Sequence, residues 1–434
     1  MGMLKDARTA ERVITRMLRT RTDRRAVDAY VRRHDQPAAG SIRIAVYFAD
    51  SEVNLYQMRQ WYAPLARLAS IWPVAIISRS PDSALKLWQE APVPTMYLRS
   101  IAQLEKFVAE QDLQIVFYVN QNSKNFQMFR YATMWHVFIN HGESDKMYMT
   151  TNQFKAYDYS FIAGDAARDR LQRTLWNYDL DGKTRSIGRP QADHLEGEPP
   201  FAPDGRVVVL YAPTWEGDRP TAAYGSVASH GVALVSALLA STRHRLIYRP
   251  HPRSGVIDAD YARANREIIR AIAAANAEDP AAGHLYDDSA EVGWQLSSSD
   301  VAITDISAMV YDRLATGRPI IVARPVSALA QIDETGYLTD AEWLTAEGAP
   351  DIIAAIDRVT ASAEVQEKLR FWVDRYFGDT SPGVATARFH AAVTELMAEW
   401  ETHAALHASD RLGSAAMSFD VDDADDADDE RTGH

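Results

Sequence analysis

The feature that most constrains this chain is an alternation of short apolar runs with helix-length stretches, broken once and then resumed. The first series comprises runs at 42–48, 74–78, 95–98, 114–119, 135–140 and 159–164, with a helix-length stretch at 54–70 after the first of them. Runs this short and this apolar read as strands buried on both faces. Their alternation with helices is the pattern of a parallel sheet covered on both sides. Residues 188–205 interrupt it: Gly188, Pro190, Pro199, Pro200, Pro203 and Gly205 sit among charges with no periodicity, the composition of a linker. The alternation resumes with strands expected at 207–211, 246–248, 284–286, 301–304 and 319–322, and helices near 232–239 and 260–275.

The expected fold is therefore α/β: two Rossmann-like domains whose parallel sheets face an interdomain cleft, the GT-B architecture. The boundaries implied are a basic helical segment at 1–40, a first domain at 41–190, a linker at 191–205 and a second domain at 206–385. A helix at 386–408 is expected to cross back onto the first domain, followed by an acidic tail at 409–434. No G-x-G-x-x-G opens the first domain and no Walker A loop occurs, which argues against a dinucleotide or P-loop site.

The formal net charge of -13 is unevenly spread. Eight of the acids fall between Asp420 and Glu430, a block that repels itself and reads as a disordered tail. The stretch from Lys5 to Arg33 is arginine-rich, with apolar positions at Val13, Ile14, Met17, Leu18, Val27 and Val31. Such a basic, weakly amphipathic helix either rests on an anionic membrane surface or packs on its own domain; no tryptophan or phenylalanine anchors its apolar side, which favours packing. There is no cysteine, so disulfides, thiolate nucleophiles and cysteine-bound metals are excluded, and a cytoplasmic location is expected. No apolar run is long enough to span a bilayer, and the start lacks a signal-peptide pattern. Nucleic acid is not an expected partner, for want of a basic stripe interleaved with aromatics. Neither H-E-x-x-H nor G-x-S-x-G is present, so metal hydrolysis and serine hydrolysis are not expected.

Candidate chemistry gathers where strand-like runs stop. The run at 246–248 leads into His251, held between Pro250 and Pro252 and flanked by Arg249 and Arg253. The prolines end the strand and stiffen the loop, at the sheet edge where open α/β folds place their ligands. The arginines suit a phosphate, and an imidazole can move a proton near neutral pH. His141 follows the run at 135–140, with Gly142 to permit a sharp turn or close backbone approach and Glu143 as a carboxylate to orient the ring. A capping turn with a surface histidine is the competing reading there. Thr214 follows Pro213 and suits a phosphate or nucleotide, while Trp215 reads as packing. Thr304, Asp305 and Ser307 lead from a strand into a helix that Asp305 or Ser307 caps, and its first turn offers free N–H groups. An ordinary capped turn competes with this reading. Opposite His251, with Arg318 and Arg324 close in sequence, the turn reads as a diphosphate cradle.

These motifs, in this order, resemble the CDP-glycerol glycerophosphotransferase family, which builds the poly(glycerol phosphate) chains of teichoic acids and related capsules. The matching pieces are His141-Gly142, Tyr211-Ala212-Pro213-Thr214-Trp215, Arg249-Pro250-His251-Pro252, and Ile303-Thr304-Asp305-Ile306-Ser307 through Tyr311-Asp312 to Arg318-Pro319-Ile320-Ile321. The resemblance implies a GT-B fold with His141 and His251 as catalytic residues. It implies donor phosphate and nucleotide contacts from Thr214, Arg249, Arg253, Thr304, Asp305, Ser307 and Arg318, with Gly142, Glu143 and Lys146 in support. The implied reaction moves glycerol phosphate from CDP-glycerol, or a related CDP-alcohol, to a lipid-linked or polymeric hydroxyl and releases CMP. It takes place at the inner face of the plasma membrane, with no metal and no cofactor beyond the CDP-alcohol donor. The chain departs from the family at Glu143-Ser144-Asp145, where Thr-Pro-Leu is usual, and at Ile306 and Ala308, where the family has tyrosine and serine. Both departures lie where donor and acceptor would sit. Two further readings stand beside this one: a GT-B glycosyltransferase using a nucleotide sugar, and a non-catalytic relative that binds a nucleotide or polymer.

Overall fold

The computed structural model describes residues 22–23, 25–32, 36–143, 150–195, 197–289, 292–332 and 335–408. Most of the basic amino-terminal stretch, Lys146 and the acidic tail lie outside the described residues.

The first sheet contains β1 (Ile44–Phe48), β2 (Val74–Ser78), β3 (Thr95–Tyr97), β4 (Ile115–Tyr118), β5 (Trp135–Phe138), β6 (Tyr159–Ile162) and β7 (Thr184–Ser186). Their order is β3-β2-β1-β4-β5-β6-β7, with every pair parallel. The second sheet contains β8 (Val207–Ala212), β9 (His244–Tyr248), β10 (Leu285–Tyr286), β11 (Val301–Thr304), β12 (Ile320–Ala323) and β13 (Trp343–Leu344), ordered β10-β9-β8-β11-β12-β13 and also wholly parallel. The period-2 geometry of a strand explains the apolar runs. In β1, Ile44, Val46 and Phe48 enter one core, whereas Ala45 and Tyr47 enter the core on the opposite face. The edge strands β7 and β13 were not expected, being three and two residues long. The helix expected at 54–70 is two helices, Leu55–Arg59 and Tyr62–Ala69, meeting at the buried Trp61. Pro64 falls in the first turn of the second helix, where its missing N–H removes no helical bond.

Both sheets reverse their winding in the middle, between β1 and β4 and between β8 and β11. At such a point the connections leave in opposite directions and open a crevice outside the carboxyl ends of the strands. Hydrogen bonds from a loop to a carboxylate tie each crevice floor. Asn120 Nδ2 donates to Asp50 at 2.8 Å in the first, and the Thr214 N–H donates to Asp305 at 2.8 Å in the second.

The helix Val384–Leu406 returns to the first sheet, where Phe389, Val393, Leu396 and Met397 join its core. Trp135 Nε1 donates to the Leu396 carbonyl at 3.1 Å, and Trp400 Nε1 to the Thr133 carbonyl at 2.8 Å. The two halves also touch through the helix Asp165–Thr174, whose Ala166 packs with Tyr311, Leu314, Tyr376 and Phe377. Gly164 is required there, because a Cβ would lie 2.6 Å from the Tyr376 carbonyl oxygen. Arg189, buried, pairs with Asp312 at 2.5 Å, and Asp169 pairs with Arg375. Among the described residues no helix is long and apolar enough to cross a membrane.

Candidate active site

At the first sheet's carboxyl edge, β5 runs out into Asn140, whose φ of 53° is left-handed. Its side chain makes that conformation tolerable: Oδ1 accepts the His141 N–H at 2.9 Å and Nδ2 donates to the Gly142 carbonyl at 2.7 Å. The tight turn thus belongs to Asn140 and not to Gly142, at which a Cβ would meet only Arg189, at 3.7 Å. The His141 ring is oriented by a backbone carbonyl, with Nδ1 2.9 Å from Val119 O. A carbonyl only accepts, so in the neutral ring Nδ1 carries the proton and Nε2 the lone pair. The expectation that Glu143 orients this ring is corrected: Glu143 is buried and ion-paired with Arg170, on the helix Asp165–Thr174. Beside His141 lies a cavity of about 370 Å³, lined by Asp50, Gln57, Asn120, Asn140, Thr151 and Gln153 among others.

At the second sheet's carboxyl edge, the loop after β9 is held as a rigid unit. The His251 N–H donates to the Pro213 carbonyl at 3.2 Å, and the Arg253 N–H donates to His251 Nδ1 at 3.1 Å. Nδ1 is therefore the acceptor and Nε2 carries the proton of the neutral ring. Burial, and then the Arg253 charge, push the His251 pKa below its ordinary value, with Glu216 pulling the other way. Glu216 accepts the N–H groups of Gly255 at 2.8 Å, Ile257 at 2.8 Å and Asp258 at 3.1 Å. Burial alone would raise its pKa, but these backbone bonds outweigh it and hold the carboxyl below the usual range. Arg253 lies 3.8 Å over the Trp215 ring, so Trp215 is a platform for that guanidinium. Arg249 is held by Asp287 at 2.6 Å and by the Ser289 hydroxyl at 2.9 Å.

The turn after β11 differs from expectation in two respects. Thr304 and Asp305 are both fully buried, so they shape the crevice and do not face a ligand. Asp305 Oδ2 accepts the N–H groups of Thr214 at 2.8 Å and Ser226 at 3.0 Å, clamping two loops together; burial pushes its pKa up to about 7 in spite of those bonds. The cap is Ser307, one of the two residues expected for it, which accepts the Met309 N–H at 3.3 Å. Arg318 precedes β12 and donates to the Ser299 carbonyl at 3.0 Å, just before β11. In parallel strands this is the amino edge, and the length of β11 puts it roughly 13 Å from the carboxyl edge. Arg318 is thus corrected out of the donor cradle, and Arg324, just past the end of β12, is the arginine on the proper side.

Asn140, Glu216, Ser226 and Asp287 went unrecognised as site-building residues. Each acts on a partner brought close by a turn or by folding, which a local pattern does not display.

Among solved structures, the chain is similar to a protein described as a UDP-N-acetylglucosamine 2-epimerase from Listeria monocytogenes, at 15% identity and a TM-score of 0.55, over 83% of this chain and 98% of that one. It is also similar to the wall teichoic acid polymerase TagF, at 14% identity and a TM-score of 0.52, over 92% of this chain and 99% of that one. These likenesses carry the fold, the GT-B arrangement of two facing Rossmann-like domains. No curated protein matches the sequence. Residues 97–328, just over half of the chain, match the model of CDP-Glycerol:Poly(glycerophosphate) glycerophosphotransferase, and the chain belongs to that family.

Proposed function

We propose that this glycerophosphotransferase deprotonates its acceptor with His141 and steadies its leaving group with His251. The acceptor hydroxyl gives its proton to His141 Nε2 as its oxygen attacks the β-phosphorus of CDP-glycerol. The bond from that phosphorus to the bridging oxygen breaks, and CMP departs with its new negative charge. His251 Nε2–H donates to the departing phosphate, assisted by Arg253 and Arg324, while Arg249 keeps the loop in place through Asp287. The observation that carries this reading is the opposite tautomers of the two rings: Val119 O fixes a lone pair on Nε2 of one, and the Arg253 N–H fixes a proton on Nε2 of the other. Because charge in such a step spreads over phosphate oxygens, positioning and fixed dipoles do most of the work.

General acid–base assistance is worth roughly two to four orders of magnitude, so His141→Ala and His251→Ala are each expected to lose about that much CMP release with an unchanged melting temperature. If both variants turn over CDP-glycerol at the wild-type rate, the mechanism is wrong. The same proposal makes the acceptor lipid-linked and puts the earlier part of the arginine-rich stretch between Lys5 and Arg33 on an anionic membrane. Its later part is held on the first domain by the buried Val27 and by Tyr30, stacked on Trp88 with ring centroids 3.9 Å apart. Sedimentation with anionic vesicles tests this: a chain starting at Ser41 that binds as well as the full chain would remove the claim.

A further inference from the structure

Two arginines lead from the turn that bears His141 to the helix that follows β11. Glu143, two residues after His141, is buried and ion-paired with Arg170. The Arg170 guanidinium lies 5.7 Å from the centre of the Tyr376 ring, and that ring packs on Tyr311 with centroids 5.6 Å apart. Arg189, also buried, turns Nη1 towards Gly142, where a Cβ would stand 3.7 Å from it. Its Nη2 pairs with Asp312 at 2.5 Å. Tyr311 and Asp312 are neighbours on the helix Ala308–Leu314, which starts at the Ser307 cap. The two routes therefore end on one helix. Both arginines, with Gly142 and Glu143, line a cavity of about 50 Å³, far below the roughly 300–1,000 Å³ of small-molecule sites, so they serve the geometry and do not bind a substrate there.

Buried ion pairs commonly add no stability over apolar residues packed in their place. What a guanidinium adds is direction, because its nitrogens form a rigid fork that fixes two partners relative to each other. In Arg189 one tine meets the His141 turn and the other meets the helix after β11. Glu143 stands at one of the chain's departures from the family, so its pair with Arg170 anchors the same turn a second time. We propose that Arg170 and Arg189 are positioning residues for the transfer, holding the His141 turn in register with the turn after β11 on the opposite sheet. The base then reaches the acceptor hydroxyl while the donor phosphorus lies in line with it. This rests on the assignment of His141 as the base.

The test uses the full chain and reads kcat for CMP release from CDP-glycerol, the Kd for CDP by calorimetry, and the melting temperature. Arg189→Lys keeps a cation for Asp312 but gives up the fork, since an ammonium is a point charge. A misplacement of about 1 Å can cost about a hundredfold in rate, so kcat is expected to fall about ten- to hundredfold while the Kd for CDP stays within about twofold. Glu143→Gln keeps an oxygen for Arg170 and removes the charge; it is expected to show the same split, and it carries the test if the lysine variant does not fold. In a His141→Ala background, Arg189→Lys should lower the residual rate by less than about threefold, because the base it positions is gone. A kcat unchanged in both variants, CDP binding weakened in proportion to the lost rate, or the full further loss on top of His141→Ala each overturns the proposal and leaves the base assignment standing. A His141→Ala protein that works at the wild-type rate overturns the base assignment, and this inference with it.

Discussion

Asp305 offers the sharpest check on the second crevice. Its Oδ2 is the shared acceptor of two backbone N–H groups, those of Thr214 and Ser226, and the side chain has no exposed surface. Asp305→Ala leaves both donors without a partner, and at about 1–3 kcal/mol for each buried orphan the expected loss is about 2–6 kcal/mol. Asp305→Asn keeps a carbonyl oxygen for the pair and removes the charge. The sign of the pH effect follows from the folded pKa of about 7, against an ordinary value of 3.8. A raised pKa means that folding favours the protonated acid. The penalty for burying the carboxylate is therefore absent near pH 4, grows as pH rises and is complete above pH 7. Wild type should lose this part of its stability between about pH 4 and 7, and Asp305→Asn should not. Thermal melting of wild type and both variants from pH 5 to 8 reads this out. The gap between Asp305→Asn and wild type is expected to shift towards the variant as pH rises. A gap that is flat with pH, or an Asp305→Ala protein that melts with the wild type, would refute the clamp.

Three further outcomes are expected. Phe389, fully buried against Trp61 at 5.3 Å and Phe117 at 5.9 Å, should cost about 3–5 kcal/mol when cut to alanine, seen by urea unfolding as loosening of the first sheet. Arg189→Met strands Asp312, whose pKa burial already raises and the guanidinium lowers; a loss of about 3 kcal/mol is expected, and Arg189→Met/Asp312→Leu should recover most of it. Arg318→Ala should leave CDP-glycerol affinity within twofold of wild type, whereas Arg324→Ala should weaken it about tenfold, the scale of one charge-assisted contact of about 1.5 kcal/mol; a calorimetric titration separates the two.

Much of the architecture was legible because strands buried on both faces must be apolar at nearly every position. The strands β2 and β11 coincide with the runs read from composition, and the helix Val384–Leu406 begins two residues before its expected start at 386. Edges were less legible: β7 is Thr-Arg-Ser, and three polar or charged residues carry no strand pattern. At the site, the two histidines stand out because each follows the end of an apolar run. Their surroundings do not stand out in this way. Glu143 looks like a partner for His141 from one dimension, but a guanidinium 27 residues later claims it. Arg318 looks close to Ser307, yet a whole strand length separates the amino and carboxyl edges of the sheet. Proximity along the chain carries no information about which end of a parallel strand a loop occupies.

The returning helix has a consequence for how this molecule is made. A nascent chain that has delivered every strand of the first sheet still lacks Phe389, Val393, Leu396 and Met397, which close over Trp61, Phe117 and Phe161. Domains are commonly completed in the order of their synthesis, but here the half translated first must wait for residues translated after the second half. During that interval its apolar flank is open to chaperones or to misassembly. Translation halted before residue 384 would leave a second lobe near completion and a first lobe unable to seal.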